Sequence, residues 1–131
     1  MTNFNENDPK PLGELKLQTV PMPKDTNSTG DIFGGWLMSQ MDIAGAIAAS
    51  QIAKGRVATV AIESMSFMIP VKVGSIVSCY TNTKAIGNSS IQIGIEVWMQ
   101  FPAETEQQKV TEGVFVFVAL DNRGKTRSIP K

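Results

Sequence analysis

The sequence predicts an α+β fold: one long buried helix with a curved antiparallel sheet of about five strands wrapped around it. Three observations carry that prediction. The stretch Asp31–Lys54 (DIFGGWLMSQMDIAGAIAASQIAK) encloses 22 residues with a single charge, Asp42, and its apolar residues recur at helical spacing. Beyond Gly55 the apolar period drops to two and stays there as far as Leu120, in runs broken by Pro, Gly and Asn. One more alternating run precedes the helix, so the element order is β-α-β-β-β-β.

Residues 1–11 (MTNFNENDPKP) read as a flexible tail, and 12–131 as one domain. In the first strand, Leu12 to Val20, Leu15 and Leu17 alternate with Lys16 and Gln18; Pro21 and Pro23 end it. DTNSTGD at 25–31 is a polar, structured turn, and Phe33-Gly34-Gly35 leads into the helix. On that helix Leu37, Met41, Ala44, Ala48 and Ile52 form one face, while Trp36, Ile43 and Ile47 line another, so most of its circumference should be buried. It should stop at Gly55, with Lys54 against the C-terminal dipole.

Arg56 to Met68 alternates, with Val60 and Ile62 on one face and Met65 and Phe67 on the other. Lys72-Val73-Gly74 is a turn, Ser75 to Ala85 a third strand, and Gly87-Asn88 a break. Ser89 to Phe101 alternates most clearly: Ile91, Ile93, Ile95, Val97 and Met99 point in, Gln92, Glu96 and Gln100 out. Residues 102–108 form a polar loop, Lys109 to Leu120 the last strand, and Asp121-Asn122-Arg123-Gly124 a turn. The strands follow one another in meander-like succession. A curved sheet covers only one side of a helix, so the remainder calls for a second subunit and a dimer at least.

Composition excludes several kinds of chemistry. Lys+Arg and Asp+Glu both number 12, so no net field favours nucleic acid or an anionic membrane. There is no histidine, which removes Ser-His-Asp and Cys-His catalysis and any His-ligated metal. The one cysteine, Cys79, allows no intrachain disulfide and alternates with Val77 as a core residue would. The helix is long enough to span a membrane, but Asp42, Gln40, Gln51, Ser39 and Ser50 argue against it. The polar N-terminus does not resemble a signal peptide, so a cytoplasmic location is expected. Arg123, Lys125, Arg127 and Lys131 form a basic C-terminal cluster, either a solvated tail or a contact for a phosphate.

What chemistry remains must rest on a carboxylate, amides and backbone groups. A lone carboxylate in a buried helix is costly unless paired or used, which singles out Asp42. Paired glycines at a helix start, Gly34 and Gly35, leave N–H groups open to a ligand with the positive dipole end behind them, an arrangement suited to an oxyanion; they could equally allow close packing on a strand. Asp42 lies about 10 Å along the axis from Gly35. Met38, Gly45 and Ala46 beside it leave room for a water or a thin substrate, and the alanines at 44, 46, 48 and 49 thin the helix enough for an acyl tunnel or for tight packing. Asn27 could position a water or a substrate carbonyl, or be an ordinary turn residue. Phe67 and Trp98 suit core or interface as well as ligand contact. Glu63 is either a second carboxylate near the site or a strand residue at a wet edge.

The segment Thr26-Asn27-x-x-Gly30-x-x-Phe33-Gly34-Gly35-x-Leu37-Met38-x-x-Met41-Asp42 resembles the hotdog-fold acyl-CoA thioesterases, in particular the single-hotdog bacterial YciA type. The similarity continues through Gly55-Arg56-Val57, Glu63-Ser64-Met65, Phe67, Pro70-Val71, Val73-Gly74 and Glu96-Val97-Trp98. The resemblance implies hydrolysis of acyl-CoA to free CoA and a carboxylic acid, with no metal or other cofactor. It implies Asp42 as the catalytic carboxylate, acting as general base or nucleophile, and Asn27 supplied by the facing subunit. Amides near Gly34 and Gly35 would polarise the thioester carbonyl, and Phe67 would contact substrate. Lys84, Gly87, Asn88, Ser89 and Ser90 would approach the nucleotide of CoA. It further implies sites at a dimer interface and assembly as a homo-oligomer, commonly a hexamer built as a trimer of dimers. A non-catalytic acyl-CoA-binding regulatory module is the alternative; no appended DNA-binding segment is visible. A hotdog dehydratase is disfavoured, since that chemistry relies on a histidine.

Overall fold

The computed structural model describes residues 10–131, so most of the expected N-terminal tail lies outside the described residues. Its elements are β1 (Glu14–Thr19), a short 3-10 turn (Pro23–Asp25), α1 (Gly34–Ala53), β2 (Val57–Phe67), β3 (Ile76–Ile86), β4 (Ser90–Gln100) and β5 (Gln108–Ala119). Each expected strand is present, its ends displaced by a residue or two.

The strands form one antiparallel sheet in the order β1-β3-β4-β5-β2. This corrects the expected meander. Only β3, β4 and β5 follow one another; β2 pairs with β5 and stands at the opposite edge from β1. The cause lies just beyond β2, where the N–H groups of Met68 and Ile69 both donate to the Val110 carbonyl and prolong the β2–β5 ladder. The chain then crosses the start of the helix, anchored by buried Val71, whose carbonyl accepts from Ile32 N–H at 3.4 Å. Among the described residues the sheet does not close, and β1 and β2 stand at its two edges.

The inward face of β4 is as its alternation predicts: Ile91, Ile93, Ile95, Val97 and Met99 are all buried, as are Phe115 and Phe117 beside them on β5. Against this face α1 buries Leu37, Met41, Ala44, Gly45, Ala48, Ala49 and Ala53; Ile52 is only partly covered. Gly45 fixes the spacing. A Cβ there would stand 2.8 Å from the Phe117 ring and 2.9 Å from Ile95 Cδ1, so the helix reaches its depth only without a side chain at this point.

β2 departs from simple alternation. Its pairing with β5 shifts register between Thr59 and Ala61 and again between Ile62 and Ser64, two bulges that turn side chains away from the core. Val60 is 56% exposed, and Ile62 and Phe67 are exposed as well. The flank of α1 that carries Ile43, itself 49% exposed, is also left open by the sheet. The helix is therefore buried on its sheet side only.

The helix ends differently from expectation too. Lys54, not Gly55, takes the left-handed conformation (φ 56°) that terminates it. The charge on the last carbonyls comes from Arg127, whose Nη2 donates to Ala53 O at 2.8 Å while its Nε donates to Leu120 O at 2.9 Å. Gly55 leaves space for that guanidinium, since a Cβ there would lie 2.7 Å from Arg127 Nη2. One member of the basic C-terminal cluster is thus a helix cap. Its neighbour Asp121 is held below the usual carboxylate range by the backbone N–H groups of Lys125 and Arg123, helped by the charges of Arg56 and Arg127.

Replacing Gly45 by alanine tests the helix–sheet spacing. Overpacking of about 1–3 kcal/mol should outweigh the gain of about 1 kcal/mol that alanine brings to a helix interior. Urea unfolding is expected to show a net loss of stability.

Candidate active site

The start of α1 is built to stay open. Its N-cap residue, Phe33, contributes no side-chain hydrogen bond. Trp36 and Leu37 donate their N–H groups to Phe33 O, but among the described residues no acceptor meets the N–H of Gly34 or Gly35. Both glycines are exposed. Neither has a positive φ, so neither is glycine for conformational reasons. A Cβ on Gly34 would make ordinary contact, 3.6 Å, with the Phe67 ring, and one on Gly35 would meet nothing within 4 Å. Close packing on a strand of the same chain therefore does not explain the pair, and free donors at the positive end of a helix do have a chemical use.

Asp42 lies further along the same helix, on the flank that the sheet leaves uncovered. It is half-buried rather than sealed in the core. Thr59 of β2 donates from Oγ1 to Asp42 Oδ1 at 2.5 Å, which fixes the carboxylate and leaves its second oxygen for other partners. Sequence reasoning missed Thr59. In the alternating run VATVAI nothing marks it out; only the antiparallel passage of β2 beside α1 brings it to Asp42. The room expected beside Asp42 from Gly45 is not there, because Gly45 faces the sheet and its space is filled by Phe117 and Ile95.

Asn27 organises the loop before the helix. Its Oδ1 accepts from Thr29 N–H at 3.0 Å, Thr29 Oγ1 at 2.7 Å and Asp31 N–H at 3.1 Å, and its backbone closes the bridge between Thr26 and Ile32. With Oδ1 so engaged, the Nδ2 donors are what the side chain can offer outward. No hydrogen bond links Asn27 to Asp42 among the described residues of one chain.

Phe67 stands against Gly34, where an apolar groove of about 300 Å³ runs between the start of α1 and the segment after β2. The residues expected near a nucleotide divide. Gly87, Asn88, Ser89 and Ser90 form the tight β3–β4 turn, closed by Gly87 N–H to Ser90 O at 2.8 Å and tied to the C-terminal segment by Ile129 N–H to Asn88 O at 2.8 Å. Lys84 instead sits at a bulge in β3 with its Cε over Gly94. The turn belongs to the helix's C-terminal end, about 30 Å along the axis from Gly34.

Glu63 is exposed at the second bulge of β2, the wet-edge alternative. Trp98 is buried on the outer face of the sheet, its Nε1 donating to Glu96 Oε1 at 2.9 Å; Glu96 also pairs with Lys109 at 3.5 Å. The Trp98 side chain is not part of the core cluster packed against α1. Cys79 is fully buried, and burial pushes its thiol up to about 12.

With this geometry in view, comparison with known proteins is direct. Residues 29–104 match the thioesterase superfamily. The acyl-CoA thioester hydrolase YciA of Salmonella typhimurium is 53% identical, over 94% of this chain and 95% of its own. A hexameric thioesterase from Yersinia pestis superposes with a TM-score of 0.88 at 53% identity, covering 93% of this chain and 99% of that one. A hexameric hotdog fold thioesterase of Campylobacter jejuni superposes with a TM-score of 0.84 at 40% identity, covering 90% and 91%. The chain belongs to the thioesterase superfamily. Its fold is the hotdog, a long helix gripped by one antiparallel sheet, and the expected resemblance to the YciA hydrolases holds over nearly its whole length.

The environment of Cys79 makes a prediction independent of any activity. A water-soluble thiol reagent at mildly alkaline pH should leave the folded protein unmodified and react fully once denaturant is added. Rapid labelling of the native protein would mean that the thiol is accessible after all.

Proposed function

We propose that this protein is an acyl-CoA hydrolase. The observation that carries the reading is the uncapped start of α1: two exposed N–H groups on glycines that packing does not require, on the same helix as Asp42, in a chain of the thioesterase superfamily. The thioester carbonyl oxygen would sit at the amides of Gly34 and Gly35, which stabilise the negative charge developing there; one such donor is typically worth about 3–4 kcal/mol in the transition state. Water adds to the carbonyl carbon, the C–S bond breaks, and CoA leaves as the thiol with the proton taken from water. Asp42 takes up that proton as general base, or attacks the carbonyl itself and is freed by water afterwards. Thr59 acts through Asp42, holding one carboxylate oxygen so that the other faces the reaction.

Asn27, whose Nδ2 donors meet no acceptor among the described residues, completes the site of a facing subunit. The exposed flank of α1 and the free, apolar edge at β2 are the surfaces a partner would cover. Lys84, Gly87, Asn88, Ser89 and Ser90 are proposed to meet the nucleotide of CoA. Because the turn lies at the far end of the helix from Gly34, it would serve the thioester site of another subunit. The assembly proposed is a hexamer, as the Yersinia and Campylobacter relatives are described, built here of paired subunits. The reaction requires no metal or prosthetic group in this reading, and the cytoplasm, where acyl-CoA thioesters are made and used, is the compartment it implies. No helix among the described residues is long and apolar enough to cross a membrane.

Release of free thiol from a panel of acyl-CoA substrates tests the proposal. Wild type should turn substrate over, and Asp42→Asn should lower kcat by about a hundredfold or more while remaining folded. Binding without turnover by wild type would instead mark a non-catalytic acyl-CoA-binding module. Thr59→Val should lower kcat and Thr59→Ser should restore it, separating positioning of the carboxylate from mere packing. Mixing Asp42→Asn with Asn27→Ala subunits should recover part of the activity through hybrid sites; no recovery despite proven exchange would place both residues in one subunit.

A further inference from the structure

We infer that the hollow between β1, β3 and the second half of α1 is a second small-molecule site, built for a straight-chain monocarboxylate. The first sign is a hydroxyl without a partner. Among the described residues the buried hydroxyls are those of Ser75, Ser78, Thr81 and Thr111. Ser75 donates to Lys72 O at 2.7 Å, Ser78 accepts from Gln18 Nε2 at 2.8 Å, and Thr111 donates to Ser66 O. Thr81 is only 5% exposed, and its side chain has no hydrogen bond to any described residue. A polar group buried unpaired is costly, so it calls for a partner from outside the chain. Thr81 forms part of the wall of a hollow of about 430 Å³, within the range of small-ligand sites.

The rest of the wall selects the occupant. Ala48 and Ile52 of α1 give it an apolar side. Across from them stands Lys16 of β1, whose Nζ donates to Gln51 Oε1 at 2.9 Å and pairs with Glu14 Oε1 at 3.2 Å. An ammonium has three donors, so one is left over. The two charges are unequally placed, the Lys16 side chain being 17% exposed and that of Glu14 80%. An ion pair with so exposed a partner is worth little, so Glu14 is readily displaced and the charge facing the hollow is positive. An amine is repelled there. A carboxylate, an acceptor only, takes donors from Lys16 Nζ and Thr81 Oγ1, and a hydrocarbon tail covers Ala48 and Ile52.

The wall is rigid where β1 begins. Gly13 has φ 105°, and a Cβ there would collide with Thr81 O, so backbone lies directly on backbone at that end. Two other hollows lack this combination. The groove beside Gly34 is lined by no charged side chain, and one of about 110 Å³ on the outer face of the sheet sets Lys84 against two acids, Glu96 and Glu112. Ala48 lies about 20 Å along the helix from Gly34, which separates this hollow from the proposed thioester site. On the hydrolase reading a monocarboxylic acid is also the class of product released. Its binding here needs no acyl-CoA, however, so either conclusion can fail alone.

The test is a saturation-transfer NMR titration of the intact protein with hexanoate at neutral pH, with 1-hexanol and hexylamine as probes of equal chain length. Hexanoate should bind saturably, and the alcohol and the amine at least about tenfold more weakly. Lys16→Met and Thr81→Val should each weaken hexanoate binding by about tenfold or more, the cost of one hydrogen bond to a charged group. Thr81→Val removes a hydroxyl that no described residue uses, so its thermal midpoint should not fall. Phe67→Ala, in the groove beside Gly34, should leave the affinity as it is. Absence of saturable binding to wild type would leave water as the only partner of Thr81 and overturn the site. Equal binding of hexanol, or binding kept in both hollow variants and lost in Phe67→Ala, would overturn it too.

Discussion

The structure depends on how closely α1 approaches the sheet, and Gly45 sets that distance. With no side chain at this one point, the Phe117 ring and the end of Ile95 fill the space that a Cβ would take, and the helix settles among Ile91, Ile93, Phe115 and their neighbours. Small residues at 44, 48, 49 and 53 let the rest of the helix follow at the same depth. Close approach on one side leaves the opposite flank uncovered. Asp42 lies at that boundary, near enough to the sheet for Thr59 of β2 to reach it and far enough out to meet a ligand.

The same arrangement explains why the candidate site spans parts of the helix that differ in burial. The buried half of α1 is held by the core on every turn. Its first turn has no side-chain cap, and the Phe67 ring of β2 stands against Gly34 there. A rigid helix carrying an open N-terminus keeps backbone donors in place without side-chain reorganisation, which is the condition for electrostatic stabilisation of a developing charge. The edge strand β2, twice bulged, gives up regular burial there and supplies both Thr59 and Phe67 to the same side of the helix.

Much of this was legible in the amino-acid order. The apolar alternation of Ser89 to Phe101 located β4 and its inward face because one side of that strand really is buried. The isolation of Asp42, and the glycine pair before it, singled out the two parts of the candidate site. Strand order was not legible, since alternation says which face is buried but not which neighbour a strand pairs with; the β2–β5 pairing is decided by bonds from Met68 and Ile69 to Val110, contacts between residues about forty apart. The bulges at Val60 and Glu63 were hidden for a related reason, being set by register with β5. Gly45 and Gly55 read as free space or a stop, and are instead the clearances for Phe117 and for Arg127. Thr59 had no local mark at all.

The central claim is that the open start of α1 serves the reaction and not the fold, and Gly35 isolates it. Among the described residues, a Cβ at this position meets no atom within 4 Å apart from its chain neighbours and the adjoining helix backbone, so folding has no reason to suffer. It does place a methyl group where, on the proposed mechanism, the thioester carbonyl approaches. Paired measurement of the thermal midpoint and of kcat for Gly35→Ala is therefore the direct test. A midpoint at or above that of wild type, with kcat lowered by about a hundredfold, the usual cost of an ångström-scale misplacement, is the predicted result. Full kcat in a stably folded Gly35→Ala protein would contradict it.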